Sequence, residues 1–216
     1  MIAAQAAAAQ SASVPAAWLV ARAAGLVALA LLTVSVTLGL ALSTRLLGTR
    51  RGKALLGWHQ TLMWTAIAML ALHGGALAVD PVMRFGFVGV LVPGAARWRP
   101  MPVAAGIVTG WLMLVIAASF HVRRRIGQRR WRLMHYATFG AFAIGLYHAL
   151  NVGTDLAGTR GLILAGIFAA PVVWLVYARI LIPRSQPRKR PARPAPPPVV
   201  GAARPLAKAD RTMVTT

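Results

Sequence analysis

One stretch limits what this chain can be more than any other. Ala54 to Val79, ALLGWHQTLMWTAIAMLALHGGALAV, contains no charged residue. A helix needs about 20 apolar residues to cross a bilayer, so this segment is long enough to span one. It nevertheless carries two histidines, His59 and His73. Ionisable side chains inside a membrane are costly; they face a protein interior and mark a site. At about 1.5 Å of rise and 3.6 residues per turn, fourteen residues amount to roughly 21 Å and nearly four whole turns. Both imidazoles therefore leave the helix from nearly the same face, one near each side of the hydrocarbon.

The rest of the chain fits this setting. Hydrophobic residues make up 58% of it and charged residues 12%. A soluble domain has about 25% charged residues, so the expectation is an all-α, polytopic transmembrane bundle. The 24 Lys plus Arg against 3 Asp plus Glu give a net charge of +21. These basic residues gather at the ends of apolar segments and in one tail. Such a distribution points to membrane topology and anionic lipid, and away from nucleic acid as a partner. No cysteine occurs, which excludes thiolate-held iron–sulfur clusters and covalently attached c-type haem. The acids Asp80, Asp155 and Asp210 all lie outside the apolar cores, which argues against a carboxylate relay within the membrane.

Five spans are expected, at Ala16–Leu42, Ala54–Val79, Met101–Val122, Trp131–Val152 and Gly161–Pro183. Residues 1–15 are Ala- and Ser-rich and read as a disordered, uncleaved N-terminus. Residues 184–216 form a basic, Pro-rich tail with too little apolar surface to fold. Between spans two and three, the apolar run Phe85–Val92 is too short to cross, and is expected in the interface or folded over the bundle. The loops after spans one and three and the tail are strongly basic, whereas those after spans two and four hold Asp80 and Asp155. The positive-inside rule then puts the N-terminus outside and the C-terminus in the cytoplasm of a multi-pass cell-membrane protein.

Span four carries a second pair, His135 and His148. Spans two and four run in the same direction, so His59 and His135 share the inner level and His73 and His148 the outer one. Two bis-histidine sites between spans two and four follow. Neutral imidazole is a good axial ligand for haem iron, and an apolar cleft between helices accepts the plate. Two axial histidines favour electron transfer over oxygen binding. One detail resists: residues thirteen apart on an ideal helix are rotated by about 140°, so Gly140 and Gly145 are candidates for local rewinding. The competing reading of each histidine is a hydrogen-bonded packing residue. His121, beside several arginines, reads as an interface residue or a competitor for the inner iron. Arg132 either pairs with a haem propionate or only obeys the positive-inside rule. Gly74 and Gly75 either leave room for a haem edge or allow close helix packing. Met63, Met69 and Phe142 read as packing, and Trp58 and Trp131 as interface residues.

These residues resemble the ferric reductase-like transmembrane domain family. That family includes ferric reductases, the membrane core of NADPH oxidases and the haem subunit of methionine sulfoxide reductase systems. The likeness runs from about Gly52 to Asp155, through Trp58–His59, Ala71–Leu72–His73, Asp80–Pro81, Phe85–Gly86, Val92–Pro93, Arg129–His135, His148 and Gly153–Asp155. It is nearest to short bacterial members. The resemblance implies two b-type haems and electron transfer across the membrane to an extracytoplasmic acceptor. The donor is then a cytoplasmic flavoprotein, a quinol or free reduced flavin, because no flavin- or NADPH-binding domain is expected in this chain. A different class of function remains open at this level: a non-redox scaffold or transporter subunit whose histidines only pack.

The arginine distribution makes a direct prediction. A reporter active only in the cytoplasm, fused after Thr216, should be active. Activity of a periplasm-dependent reporter at that position instead would reverse the topology.

Overall fold

A computed structural model describes residues 16–44, 52–153 and 158–181. The segments expected to be disordered, 1–15 and 184–216, lie outside the described residues, as do Arg45, Arg50 and Arg51 and the loop acid Asp155. Among the described residues six helices follow in order: α1 (Ala16–Thr44), α2 (Gly52–Val79), α3 (Gly86–Leu91), α4 (Pro100–Ile126), α5 (Gln128–Val152) and α6 (Gly158–Leu181). No strand occurs among the described residues. Backbone groups in hydrocarbon must be satisfied within their own segment, which leaves the helix as the form such apolar runs can take.

The helix ends have local causes. Pro100 opens α4, where its missing N–H is no loss and its fixed φ suits the first turn. Gly127, at φ +84°, separates α4 from α5; a left-handed residue at this point stops a helix, and glycine adopts it without a Cβ penalty. The basic segment Arg123–Arg130, expected as a loop, is instead helical on both sides of that glycine. Arginine is a good helix former, and Arg123, Arg124 and Arg125 complement the negative end of the α4 dipole.

Helices α1, α2, α4 and α5 form a four-membered ring in section. Each packs on its two ring neighbours: α1 on α2 and α5, and α4 on α2 and α5. The two histidine helices, α2 and α5, stand diagonally opposed, and no Cα of one comes within 8 Å of a Cα of the other. Helix α6 lies outside the ring against α1 and α5. There Leu29, Leu40, Phe142 and Val172 form one core cluster, joined by Phe139, Leu146 and Phe168.

A second cluster closes the ring at mid-height. Leu32 of α1, Ala66 of α2, Met113 of α4 and Ala141 of α5 meet there, with Met63 and Ile67 against them. Ala66 and Ala141 are 1% and 0% exposed. Ala66 is seven residues from each histidine of α2, and Ala141 is six and seven residues from those of α5. An apolar septum therefore divides the slot between α2 and α5 into two chambers, with histidines in each.

Polar ties hold both ends. At the His59 end, the Arg179 guanidinium donates to Ser43 Oγ, and to the Tyr136 hydroxyl at 3.3 Å, joining α6 to α1 and α5. At the His73 end, Arg99 donates to the Asn151 carbonyl. Asp80 closes the turn after α2 by accepting from Val82 and Met83 N–H at 2.9 and 2.8 Å, an Asx turn. The short helix α3 folds back against α2 and α4, and Trp111 Nε1 donates to the Leu91 carbonyl at 3.0 Å. Phe87 and Val88 remain 67% and 66% exposed, as expected of a segment lying in an interface.

Among the described residues, four helices are long and apolar enough to cross a membrane: Ala16–Ser43, Gly52–Val79, Pro100–Ile126 and Gly158–Leu181. Helix α5 is long enough but falls short in hydropathy. It carries Gln128, Arg129, Arg130, Arg132 and Asn151 as well as His135, Tyr136, Tyr147 and His148, so the expected fourth span is not among them.

The septum predicts a packing cost. Ala141→Leu should destabilise the bundle by about 1–3 kcal/mol through overpacking, read as a lower unfolding midpoint in mixed micelles. An unchanged midpoint would mean that the septum is not closely packed.

Candidate functional site

The four span histidines meet in two pairs. The rings of His59 and His135 have centroids 6.2 Å apart with planes at 80°. Those of His73 and His148 are also 6.2 Å apart, with planes at 85°. All four are half-buried, and each pair bridges the diagonal slot between α2 and α5. These are the partners expected from depth alone. The thirteen-residue spacing on α5 is met without rewinding, because α5 is unbroken α-helix from Gln128 to Val152. Gly145 instead packs on Thr109, where an added Cβ would lie 3.1 Å from the threonine methyl.

Three of the imidazoles are oriented from behind. His73 Nδ1 lies 2.7 Å from the Ala21 carbonyl and His148 Nδ1 lies 2.8 Å from the Pro102 carbonyl. His59 Nδ1 lies 2.8 Å from the Ser35 carbonyl and 3.0 Å from Ser35 Oγ. A carbonyl only accepts, so each Nδ1 carries the proton. Each Nε2 is then a bare lone pair aimed away from the supporting helix. An outer-shell carbonyl of this kind fixes both tautomer and ring orientation of a metal-binding histidine. His135 is held differently, stacked on Trp131 at 5.1 Å and 19°.

Each pair offers two ligands and no more. Among the described residues, no three His, Cys, Asp or Glu side chains come together. A bare zinc site needs three or four protein ligands, whereas haem iron brings four equatorial nitrogens and takes only axial ligands from the protein. Metal–imidazole bonds of about 2.0–2.1 Å on either side would put ring centres about 6 Å apart, which both pairs satisfy. One buried donor beside the His59–His135 pair also lacks an acceptor: Trp131 Nε1, on the ring stacked against His135. An unmade hydrogen bond at a buried group costs about 1–3 kcal/mol, and a polar group on a bound cofactor would supply it. The residues fit b-type haem at both levels.

The remaining candidates fall outside the pairs. Arg132 is exposed at the start of α5. His121 is exposed on α4, its ring against Trp64 at 6.3 Å and Phe120 at 6.1 Å. It therefore belongs to neither pair. Met63 and Phe142 lie in the core clusters, and Trp58 is 63% exposed. A Cβ on Gly74 or Gly75 would meet no atom within 4 Å, so close helix packing does not explain them.

Sequence reasoning placed no site residue on α1 and missed its part in the site. Two of the three carbonyls that orient histidines, those of Ala21 and Ser35, belong to α1, and Gly25 and Gly39 lie against the same rings. The signal was a register: Gly25 and Gly39 are fourteen residues apart, like His59 and His73. Comparison with protein-family models, characterised proteins and solved structures gives no match.

The hydrogen-bond pattern predicts a tautomer. In cofactor-free protein with ¹⁵N-labelled histidine, His59, His73 and His148 should give the Nδ1–H form at neutral pH. A dominant Nε2–H signal from these three would contradict the orientation described.

Proposed function

We propose that this chain is a b-type haem membrane protein carrying electrons across the bilayer as a component of a reductase. His59 and His135 would be the axial ligands of one haem, and His73 and His148 those of the other. The observation that carries this reading is the pair of matched ring separations, set at two depths in one apolar slot. When bound, each haem supplies a one-electron couple at its own level of the membrane.

The chain's own residues do the rest. Helices α1 and α4 hold α2 and α5 apart, so that a flat group has room between them. The Ala21, Ser35 and Pro102 carbonyls keep three Nε2 lone pairs directed into the slot. The septum at Ala66 and Ala141 excludes water between the levels and sets the two sites roughly 20 Å apart by helix rise. In this reading α5 is a fifth span. The His59 end, with Arg123, Arg124, Arg125, Arg129 and Arg130, faces the cytoplasm by the positive-inside rule. Its positive field suits an anionic or acidic donor, such as reduced flavin or a flavoprotein; a membrane quinol is the other donor class. Arg132, one turn before His135, is available to a propionate. The acceptor is then extracytoplasmic, beyond His73 and His148.

The test is haem content by pyridine haemochrome on the purified full chain. Wild type should hold two haems. His73→Ala and His148→Ala should each lose the outer haem and keep about half the total, and His59→Ala and His135→Ala should do the reverse. Absence of haem from wild type grown with ample haem, or full content in all four variants, would sink the proposal.

A further inference from the structure

The three carbonyls that orient histidines share a second feature. Each is followed four residues later by a glycine: Ala21 by Gly25, Ser35 by Gly39 and Pro102 by Gly106. In an α-helix the carbonyl of residue i accepts the N–H of residue i+4. Each glycine is thus the residue whose own N–H shares an acceptor with an imidazole. A carbonyl oxygen has two lone pairs and can serve both donors, provided that nothing covers its free side.

A side chain at i+4 would cover it. A Cβ built on Gly106 would lie 2.5 Å from both Nδ1 and Cε1 of His148. On Gly25 it would lie 2.9 Å from His73 Nδ1, and on Gly39 it would lie 3.3 Å from His59 Cε1. Real Cβ atoms essentially never approach within 3.0 Å, so at two of the three sites the imidazole would have to turn or retreat. Glycine within a helix costs about 1 kcal/mol relative to alanine. Three such positions, each against a histidine ring, have a specific use.

We infer that Gly25, Gly39 and Gly106 are positioning residues that lock the axial imidazoles of each pair in near-perpendicular planes, and so set the electronic state of the iron that they would ligate. The inference rests on the haem reading above. Each imidazole donates π-density from an orbital normal to its ring, and so acts on one of two otherwise equivalent iron d orbitals. Parallel rings act on the same orbital and split the two. Rings at 80° and 85° act on both about equally and leave them nearly degenerate. Low-spin ferric iron then keeps orbital angular momentum and a highly anisotropic g tensor. His73 and His148 both have carbonyl-and-glycine seats, so the outer plane angle is fixed from two helices. At the inner level only His59 has one, and Trp131 sets the plane of His135.

Low-temperature electron paramagnetic resonance of the oxidised full chain tests this, with haem content measured on the same samples. Wild type should show two low-spin ferric signals, each a single broad feature at high g. In Gly106→Ala or Gly25→Ala, the outer haem's feature should give way to a rhombic signal, while the inner signal persists. Gly39→Ala, where the contact is mildest, should shift only the inner signal and keeps the experiment decisive if Gly106→Ala does not fold. Gly166→Ala is the control, since a Cβ there meets nothing within 4 Å, and both signals should be unchanged. A haem-loaded wild type with rhombic signals, or a Gly39→Ala protein with an unaltered spectrum, would overturn this inference and leave the haem proposal standing. A wild type that binds no haem would remove both.

Discussion

An imidazole in hydrocarbon must have partners for both its nitrogens, and this requirement orders the whole bundle. Burying an unsatisfied polar group costs several kcal/mol, and this chain buries part of four. Three rings meet the demand on the Nδ1 side with a backbone carbonyl from the neighbouring helix. Those carbonyls are already bonded within their helices, so the extra acceptor capacity needs no break in the backbone. Among the described residues, the far side of each of these rings meets only the facing ring. In the His73–His148 pair both rings present acceptor nitrogens, which gain nothing from each other directly.

The diagonal placement of α2 and α5 follows from the same demand. If these helices were ring neighbours, their backbones would close to normal packing distance, about 8–10 Å between axes, and no plate would fit. Placing α1 and α4 between them opens the slot at both levels. The septum limits that opening: small residues on the histidine helices, Ala66 and Ala141, let larger ones from α1 and α4, Leu32 and Met113, fill the middle. The packed side chains of this septum lie between the two histidine pairs.

Much of this was legible in the sequence. Fourteen residues between His59 and His73 give a face and two depths without any tertiary information, because helix geometry is local. The pairing with His135 and His148 followed from span direction. Other features were hidden because they depend on neighbours. The charge run Arg123–Arg130 reads as a loop, and only Gly127 at φ +84° shows that the helices continue almost without interruption. The thirteen-residue spacing suggested backbone distortion at Gly140 and Gly145, yet α5 is unbroken helix and both pairs still meet, a tertiary outcome that no sequence period encodes. Helix α1 looked inert because it holds no ligand type. Its function lies in backbone carbonyls and absent side chains, which composition does not register, although the Gly25–Gly39 register was in view.

The two levels are built alike but not equally. The His73–His148 pair is anchored by carbonyls from both flanking helices, Ala21 on α1 and Pro102 on α4. The His59–His135 pair has one such anchor, from Ser35, and one aromatic wall, Trp131. Helix register explains the asymmetry. Helices α1 and α2 are antiparallel and keep a common spacing of fourteen, so a motif that seats His73 recurs to seat His59. Helix α5 spaces its histidines by thirteen, and α4 follows it antiparallel from Gly106; the corresponding position near the other end is Ser119, not glycine. Ser119 turns its hydroxyl onto the Ile116 carbonyl, at 2.6 Å, and leaves His135 to be held by stacking. A ring held by stacking is constrained in tilt but free to slide, whereas a hydrogen bond fixes direction. Helix packing alone therefore makes the His73–His148 pair the more rigid of the two. The His59–His135 pair, beside the arginine-rich end, keeps the ring that can adjust.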